Sequence, residues 1–528
     1  MRAIHKDSLS KSISDQHSVD MMSLESSIRF LRASVGLPSE LMFMQSTLLL
    51  SLAVLLLSVH LCNSDAPTHT LVRISHRGNP VDIRHVPLMM AQVAAFGERS
   101  RPSSQGDHET EQCLTEDGAV EDLTLAGVQI VHSDECSASY KQISEYLKKA
   151  EGELGIDFDC EPDYSLTFTP ICGPTTTRRP RPPPTTTTTT TTPAPTPLPC
   201  TGGNPLLGTN DPVSSCQSNL ERIRIGEAWR LIESSKRKLE RVVLAILDTG
   251  VNMKHPDLVD QFWRDSTTGS IGFNFVDNNT DVTDKHGHGT FCAGIAGAET
   301  NNSIGVAGVA NVQLMILKWG DGAGARISNA LRALDYALRM GATVSSHSYR
   351  FDNGSRVFEA AIAKADAVGH IVVTGAGNEA KDLDQNPVYP CSVARNVPSM
   401  LCVAGSTSTS KPTITSWSNV GAATQIAAPG VDIYSTDRSG SYSSASGTSA
   451  STPQVAAVAA MMASLGLQGQ DITDAITRSR TAGLSNKFNV PDVGELDALN
   501  AVKIALGRPT SPPTTTSTPA ETSGVVSV

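Results

Sequence analysis

An excess of basic charge is what this 528-residue sequence most clearly lacks. It carries 42 lysines and arginines against 53 aspartates and glutamates, a net charge of −11. A nucleic-acid partner calls for a cationic face, so the balance argues against that class of function. Apolar residues are missing from two further stretches. Residues 174–199 are threonine, proline and little else, with eight consecutive threonines from Thr185 to Thr192, and residues 508–528 form a similar tail. Neither has enough apolar surface to offset the entropy of ordering, so both are expected to be extended, O-glycosylated and without chemistry.

The strongest apolar run, TLLLSLAVLLLSVHLC at 47–62, lies in an N-terminal region spanning 1–64, with Arg29 and Arg32 upstream and Cys62-Asn63-Ser64 before Asp65. This pattern predicts a cleaved signal peptide and a secreted, extracellular protein; the chain meets a membrane only if the segment stays uncleaved. Ten cysteines are present. Removing Cys62 leaves an odd count, which raises the question of which thiol stays free.

Residues 65–173 read as a small α+β domain. Thr70 to Ile74 is strand-like, Ile143, Tyr146, Leu147, Ala150 and Leu154 recur at helical spacing, and Tyr164 to Thr169 alternates like a half-buried strand. Nothing in it looks catalytic. Cys113, Cys136, Cys160 and Cys172 suffice for two disulfides of open connectivity. Residues 200–507 alternate short apolar runs, at 241–247, 313–318, 342–346 and 370–374, with helical patterns such as 327–340, which ends at Gly341. Such alternation predicts an α/β fold with a mainly parallel central sheet flanked by helices.

Four segments carry the chemistry. LAILDTGV at 244–251 puts Asp248 at the end of a strand, HGHGTFCAG at 286–294 supplies His288, SGTSASTP at 446–453 supplies Ser449, and VVTGAGN at 372–378 ends in Asn378. A carboxylate, an imidazole and a hydroxyl are the parts of a nucleophilic triad, and an amide suits an oxyanion. His286 is expected to be a solvent-facing loop residue. Pro453 is expected in the first turn of a helix, where no N–H is needed.

The order Asp, His, Ser together with these motifs resembles the subtilisin-like serine proteases, or subtilases, over roughly 219–506. The resemblance implies the subtilisin-like fold, a triad of Asp248, His288 and Ser449, an oxyanion donor in Asn378, and a substrate cleft lined by Ser348, Gly375, Ala376 and Gly377. It implies a secreted serine endopeptidase, acting on protein or peptide substrates as a monomer. Residues 65–173 would be a propeptide that inhibits it, making the chain a zymogen. It further implies structural Ca²⁺ held by Asp257, Asn302 and the carbonyls of Thr300, Ile304 and Val306, an oxygen-only set that calcium favours. Cys391 with Cys402 and Cys200 with Cys216 become local pairs, and Cys292 an unpaired structural thiol as in proteinase K-like members. Asn278, Asn301 and Asn353 stand in glycosylation sequons, with the calcium loop disfavouring a glycan at Asn301. The chain departs from the family where Ala450, Gln454 and Ala457 follow the serine and where Arg350 replaces a glycine beside substrate. With Glu379 at the pocket mouth, Arg350 leaves preference for basic or acidic substrates open. The alternative to an enzyme is an inactive secreted subtilase-fold glycoprotein with a binding or adhesive role.

Overall fold

The computed structural model describes residues 69–166, with gaps at 77–78, 88–89, 91–104, 116–118, 127, 133–138, 155 and 164, and residues 200–510, with gaps at 201, 322–324 and 491. The apolar run at 47–62, the Thr/Pro stretches, Cys136, Cys172 and most of the strand expected at 164–169 lie outside the described residues.

The N-terminal part comprises β1 (His69–His76), β2 (Asn79–Pro80), helix α1 (Gln105–Thr115), β3 (Val120–Leu123), β4 (Val128–His132), helix α2 (Tyr140–Leu154), β5 (Ile156–Pro162) and β6 (Ser165–Leu166). Its sheet runs β2-β1-β4-β3 with β5 on the other side of β1, all pairs antiparallel. Alternation along the strands splits its residues. Val72, Ile74 and Val131 form a core with Ile143 and Leu147 of α2, while Leu71, Val128 and Ile130 face the larger domain. Cys113 is disulfide-bonded. Cys160 instead keeps its thiol, pushed up to about 12 by burial.

The larger domain is built on eight strands in the order β17-β14-β13-β12-β11-β7-β9-β8, every neighbouring pair parallel. These are β7 (Val243–Asp248), β8 (Gly272–Asn274), β9 (Gln313–Lys318), β11 (Val344–His347), β12 (Ile371–Gly375), β13 (Met400–Ser406), β14 (Thr424–Pro429) and β17 (Gly494–Glu495). Three short strands stand outside that sheet: β10 (Ala325–Arg326), and the hairpin of β15 (Ile433–Thr436) with β16 (Tyr442–Ala445). Helices α3 (Ser218–Arg222) and α4 (Ile225–Ser235) precede the sheet, followed along the chain by α5 (His288–Gly297), α6 (Ile327–Arg339), α7 (Arg356–Ala367), α8 (Thr448–Ser464), α9 (Gln470–Ser479) and α10 (Ala498–Ala505).

Because both sheet faces are covered, β7 and β9 are largely apolar runs whose side chains alternate between two cores. Leu244, Ile246, Leu314 and Ile316 pack with α5 and α8, whereas Ala245, Leu247, Met315 and Leu317 pack with Leu331 and Leu334 of α6 and Phe358 and Ile362 of α7. The runs read as strands from sequence are therefore β7, β9, β11 and β12, and the helix read at 327–340 is α6. The expected pairs Cys200–Cys216 and Cys391–Cys402 are both bridged.

The N-terminal part meets the α6 and α7 face through Leu71, Leu123, Val128 and Ile130 and through polar contacts around them. β6 adds antiparallel to β10. The N-cap residue of α6, Arg326, makes no capping bond; instead the Asp163 carboxylate accepts from the Ser328 N–H at 2.9 Å and its hydroxyl at 2.6 Å. Asp335 in turn accepts from the Leu125 and Ala126 N–H groups, and Arg332 forks onto Glu121. Acids at helix starts complement the dipole and the unpaired N–H groups there.

At the end of β11 a buried chain of polar groups has one proton arrangement that satisfies every member. Tyr349 O–H donates to His347 Nδ1 (2.7 Å), His347 Nε2–H to Ser345 Oγ (2.8 Å), Ser345 O–H to His370 Nε2 (2.8 Å), and His370 Nδ1–H to the Ala342 carbonyl (2.8 Å). Both imidazoles are thus neutral. Burial holds His347 down at about 3, with His370 adding to the effect, and burial likewise holds His370 at about 4. Unfolded histidines titrate near 6.5, so between there and pH 4 the unfolded chain binds more protons than the folded one. Stability is accordingly full above pH 6.5 and falls as the pH drops toward 4, as denaturant midpoints will show; His370→Gln, which does not titrate, makes that slope shallower.

Candidate active site

Open parallel sheets collect functional groups at the carboxyl ends of their strands. Here β7, β11 and β12 are neighbours, and their ends deliver Asp248, Ser348 and the segment Gly375 to Asn378 to one edge. Asp248 is 1 % exposed, with the Thr249 N–H on its Oδ1 at 2.7 Å.

Helix α5 places His288 beside that carboxylate. Its Nδ1 lies 2.7 Å from Oδ1 and 2.9 Å from Oδ2 of Asp248, so Nδ1 carries the proton and Nε2 is the basic nitrogen. The helix can come this close because Gly289 has no side chain: a Cβ there would stand 2.1 Å from the Gly250 carbonyl oxygen. Asp284 ties the helix start. One oxygen accepts from the N–H groups of His286 and Gly287 and from the Thr249 hydroxyl, the other from the N–H and hydroxyl of Thr290. The Thr249 oxygen then accepts from the Gly289 N–H. Sequence reading missed Asp284; the only signal was an acid four residues before the histidine. The same loop corrects the expectation for His286, which is half-buried with its ring 6.2 Å from that of His288 rather than solvent-facing, because Asp284 draws its backbone inward.

Helix α8 brings Ser449. It starts at Thr448, five residues before Pro453, so the proline sits inside the helix and not in its first turn. Proline has no N–H to give to the carbonyl four residues back. That carbonyl belongs to Ser449, and it accepts instead from the Ser348 hydroxyl (3.3 Å) and the Cys292 thiol (3.6 Å). Cys292 is fully buried and also lies 3.8 Å from His288 Nδ1, so one thiol bridges the α5 and α8 sides of the site. Ser449 Oγ donates to the Ser348 carbonyl at 3.3 Å. The Asn378 Oδ1 accepts from the Thr448 N–H at 3.0 Å, which ties this side chain to the start of α8. Gly377 N–H donates to the Thr448 hydroxyl at 3.1 Å, fixing the segment 375–378 to the same helix start. Gln454 and the two alanines 450 and 457 are fully buried, and Gln454 is satisfied by the Pro429 and Ala450 carbonyls.

The predicted calcium residues are gathered in part. Asp257 is fully buried, accepting from Asn302 Nδ2 (2.8 Å) and the Val306 N–H (3.0 Å). Ile304 donates its N–H to Asn302 Oδ1, and the Thr300 hydroxyl turns to the Gly308 carbonyl. Sequence reading missed a second buried acid, Asp211, which accepts from the N–H groups of Asn301 and Asn302. Burial first, and then the Asp211 charge, push Asp257 up to about 7; burial raises Asp211 too. Two buried acids, one of them pushed up by burial and by the charge of the other, are a carboxylate pair that a hard divalent cation suits. Asn301 Oδ1 accepts from the Asn210 N–H at 3.0 Å, which ties this sequon's side chain to the neighbouring backbone.

The subtilase family model matches residues 240–491. Thermitase of Thermoactinomyces vulgaris is 36 % identical over 270 residues, covering 51 % of this chain and 89 % of that protein. Subtilisin DY of Bacillus licheniformis is 35 % identical over 236 residues, covering 44 % of this chain and 80 % of the relative. Among solved structures, a cold adapted subtilisin-like serine proteinase superposes with a TM-score of 0.43 at 27 % identity, covering 49 % of this chain and 89 % of that one. With the parallel sheet and the residues at its edge, the family model and the likeness to thermitase and subtilisin DY make the chain a member of the subtilase family, a subtilisin-like serine peptidase that acts on peptides.

Proposed function

We propose that Ser449 is the nucleophile of a secreted serine endopeptidase, with His288 as its general base and Asp248 as the group that orients the imidazole. The observation that carries this is the buried contact of both Asp248 oxygens with His288 Nδ1, at 2.7 and 2.9 Å. It selects the tautomer whose Nε2 takes the Ser449 hydroxyl proton. The freed oxygen attacks the substrate carbonyl carbon, and the oxyanion is held by the Asn378 amide and the Ser449 N–H at the start of α8, where the helix dipole assists. His288 then passes its proton to the leaving amine, giving an acyl-enzyme. A water attacks that ester with His288 again as base, and Ser449 recovers its proton. Ser348, Gly375, Ala376 and Gly377 flank the substrate.

Residues 65–173 act, in this reading, as an inhibitory propeptide, which is supported by β6 lying as an added strand on β10 and by Asp163 at the start of α6. Calcium, when bound by Asp211, Asp257, Asn302 and the carbonyls of Thr300, Ile304 and Val306, supplies positive charge that neutralises the two buried acids and fixes the loop.

A fluorophosphonate probe will label the processed protein and not its Ser449→Ala variant; an unlabelled processed protein would end the enzyme reading. Turnover is expected to fall about 10⁴-fold in Asp248→Asn and about 100- to 1,000-fold in Asn378→Ala. Asp163→Ala, by removing two charge-assisted hydrogen bonds from the interface, should raise the activity of the unprocessed chain about tenfold or more. Chelation should lower the melting temperature by about 5–10 °C, a response that Asp257→Asn abolishes.

A further inference from the structure

Two backbone segments leave the site side by side, Ser348 to Arg350 after β11 and Gly375 to Gly377 after β12. Ser449 Oγ sits against the first and Asn378 closes the second. Both segments thus lie beside the two groups that would hold a substrate carbonyl, Ser449 Oγ and Asn378. Gly377, at φ +95°, offers no side chain there. The space is nonetheless taken: a Cβ at Gly377 would stand 3.1 Å from Arg350 Cδ, 2.8 Å from Glu379 Oε2 and 2.5 Å from Asn419 Nδ2.

The Arg350 side chain is only 11 % exposed. Its Nε donates to Glu379 Oε1 at 2.8 Å and its Nη1 to Asp352 at 2.8 Å. The other Glu379 oxygen accepts from Asn419 Nδ2 at 2.7 Å, and that fully buried amide also takes the N–H groups of Glu379 and Lys381 on its oxygen. Lys381 completes the set through Asp352 at 3.0 Å. Two cations face two anions, so neither sign is in excess. A guanidinium held by two carboxylates is a fixed wall rather than a mobile chain.

We propose that Arg350 is a specificity-determining residue: tethered to Glu379, it fills the crevice between Ser348–Arg350 and Gly375–Gly377, so that the enzyme cleaves after small uncharged residues. It blocks large side chains by volume and basic ones by already occupying Glu379, the carboxylate that would attract them. The inference rests on Ser449 being the nucleophile.

The test compares kcat/KM on fluorogenic peptides that differ only in the residue whose carbonyl is attacked: alanine, phenylalanine, lysine or glutamate. The native enzyme is expected to favour alanine. Arg350→Gly should raise the phenylalanine-to-alanine and lysine-to-alanine ratios by about tenfold or more, within the range one pocket contact commands. Adding Glu379→Gln to that variant should keep the phenylalanine gain and abolish the lysine gain, separating space from charge. Glu379→Gln alone, which leaves Arg350 in place and short of one anion, should raise the glutamate ratio and serves if the glycine variant fails to fold. Ratios that stay within about twofold of native in both single variants overturn the proposal, as does a native enzyme that cleaves after phenylalanine as fast as after alanine. Fluorophosphonate labelling in parallel tells the two failures apart: labelled enzyme with unmoved ratios sinks only the role of Arg350, whereas absence of Ser449-dependent labelling sinks the catalytic reading and this proposal with it.

Discussion

Everything at the site depends on helix α5 lying against the end of β7 more closely than a side chain permits. Gly289 touches the Gly250 backbone, and Gly250 itself adopts φ +104°, a conformation glycine takes without strain. The approach is then locked by polar groups: Asp284 caps the helix start and Thr249 links that carboxylate to the Gly289 N–H. The distance from His288 to Asp248 is thus set by backbone packing and by hydrogen bonds to main chain, which are stiffer than side-chain torsions. Even the opposite side of α5 follows this rule, since Gly294 lies where any Cβ would strike Thr436.

A second constraint comes from one absent hydrogen bond. Pro453 releases the Ser449 carbonyl from the helix ladder, and the Ser348 hydroxyl and Cys292 thiol take it up. The segment after β11, helix α5 and helix α8 are thereby tied to a single atom next to the Ser449 hydroxyl. Cys292 gains a structural task from this, as an adaptable small apolar group with a weak donor.

Much of the fold was legible because its signals are local. Buried parallel strands announce themselves as apolar runs, and 313–318 matched β9 residue for residue. Asp248, His288, Ser449 and Asn378 were legible because each sits in a short motif at an element end. Asp284 and Asp211 were not, since an acid that binds backbone N–H groups leaves no pattern in its own neighbours. Arg350 and Glu379 were visible singly but ambiguous, 29 residues apart in sequence and 2.8 Å apart in space. Pro453 was misjudged for a related reason: five polar or small residues precede the apolar run and hid the true start of α8 at Thr448.

Helix α6 begins without a capping side chain of its own and borrows the Asp163 carboxylate from the N-terminal part. In thermodynamic terms the helix does not own its first turn. An N-cap contributes about 0.5–2 kcal/mol, and this one leaves whenever the two parts separate. Two neighbouring core residues, Leu331 and Leu334, belong to that helix and pack beneath the sheet that carries Asp248. Separation would therefore reach inward: the larger domain left behind would keep a looser helix start, one turn from the leucines that pack under β7.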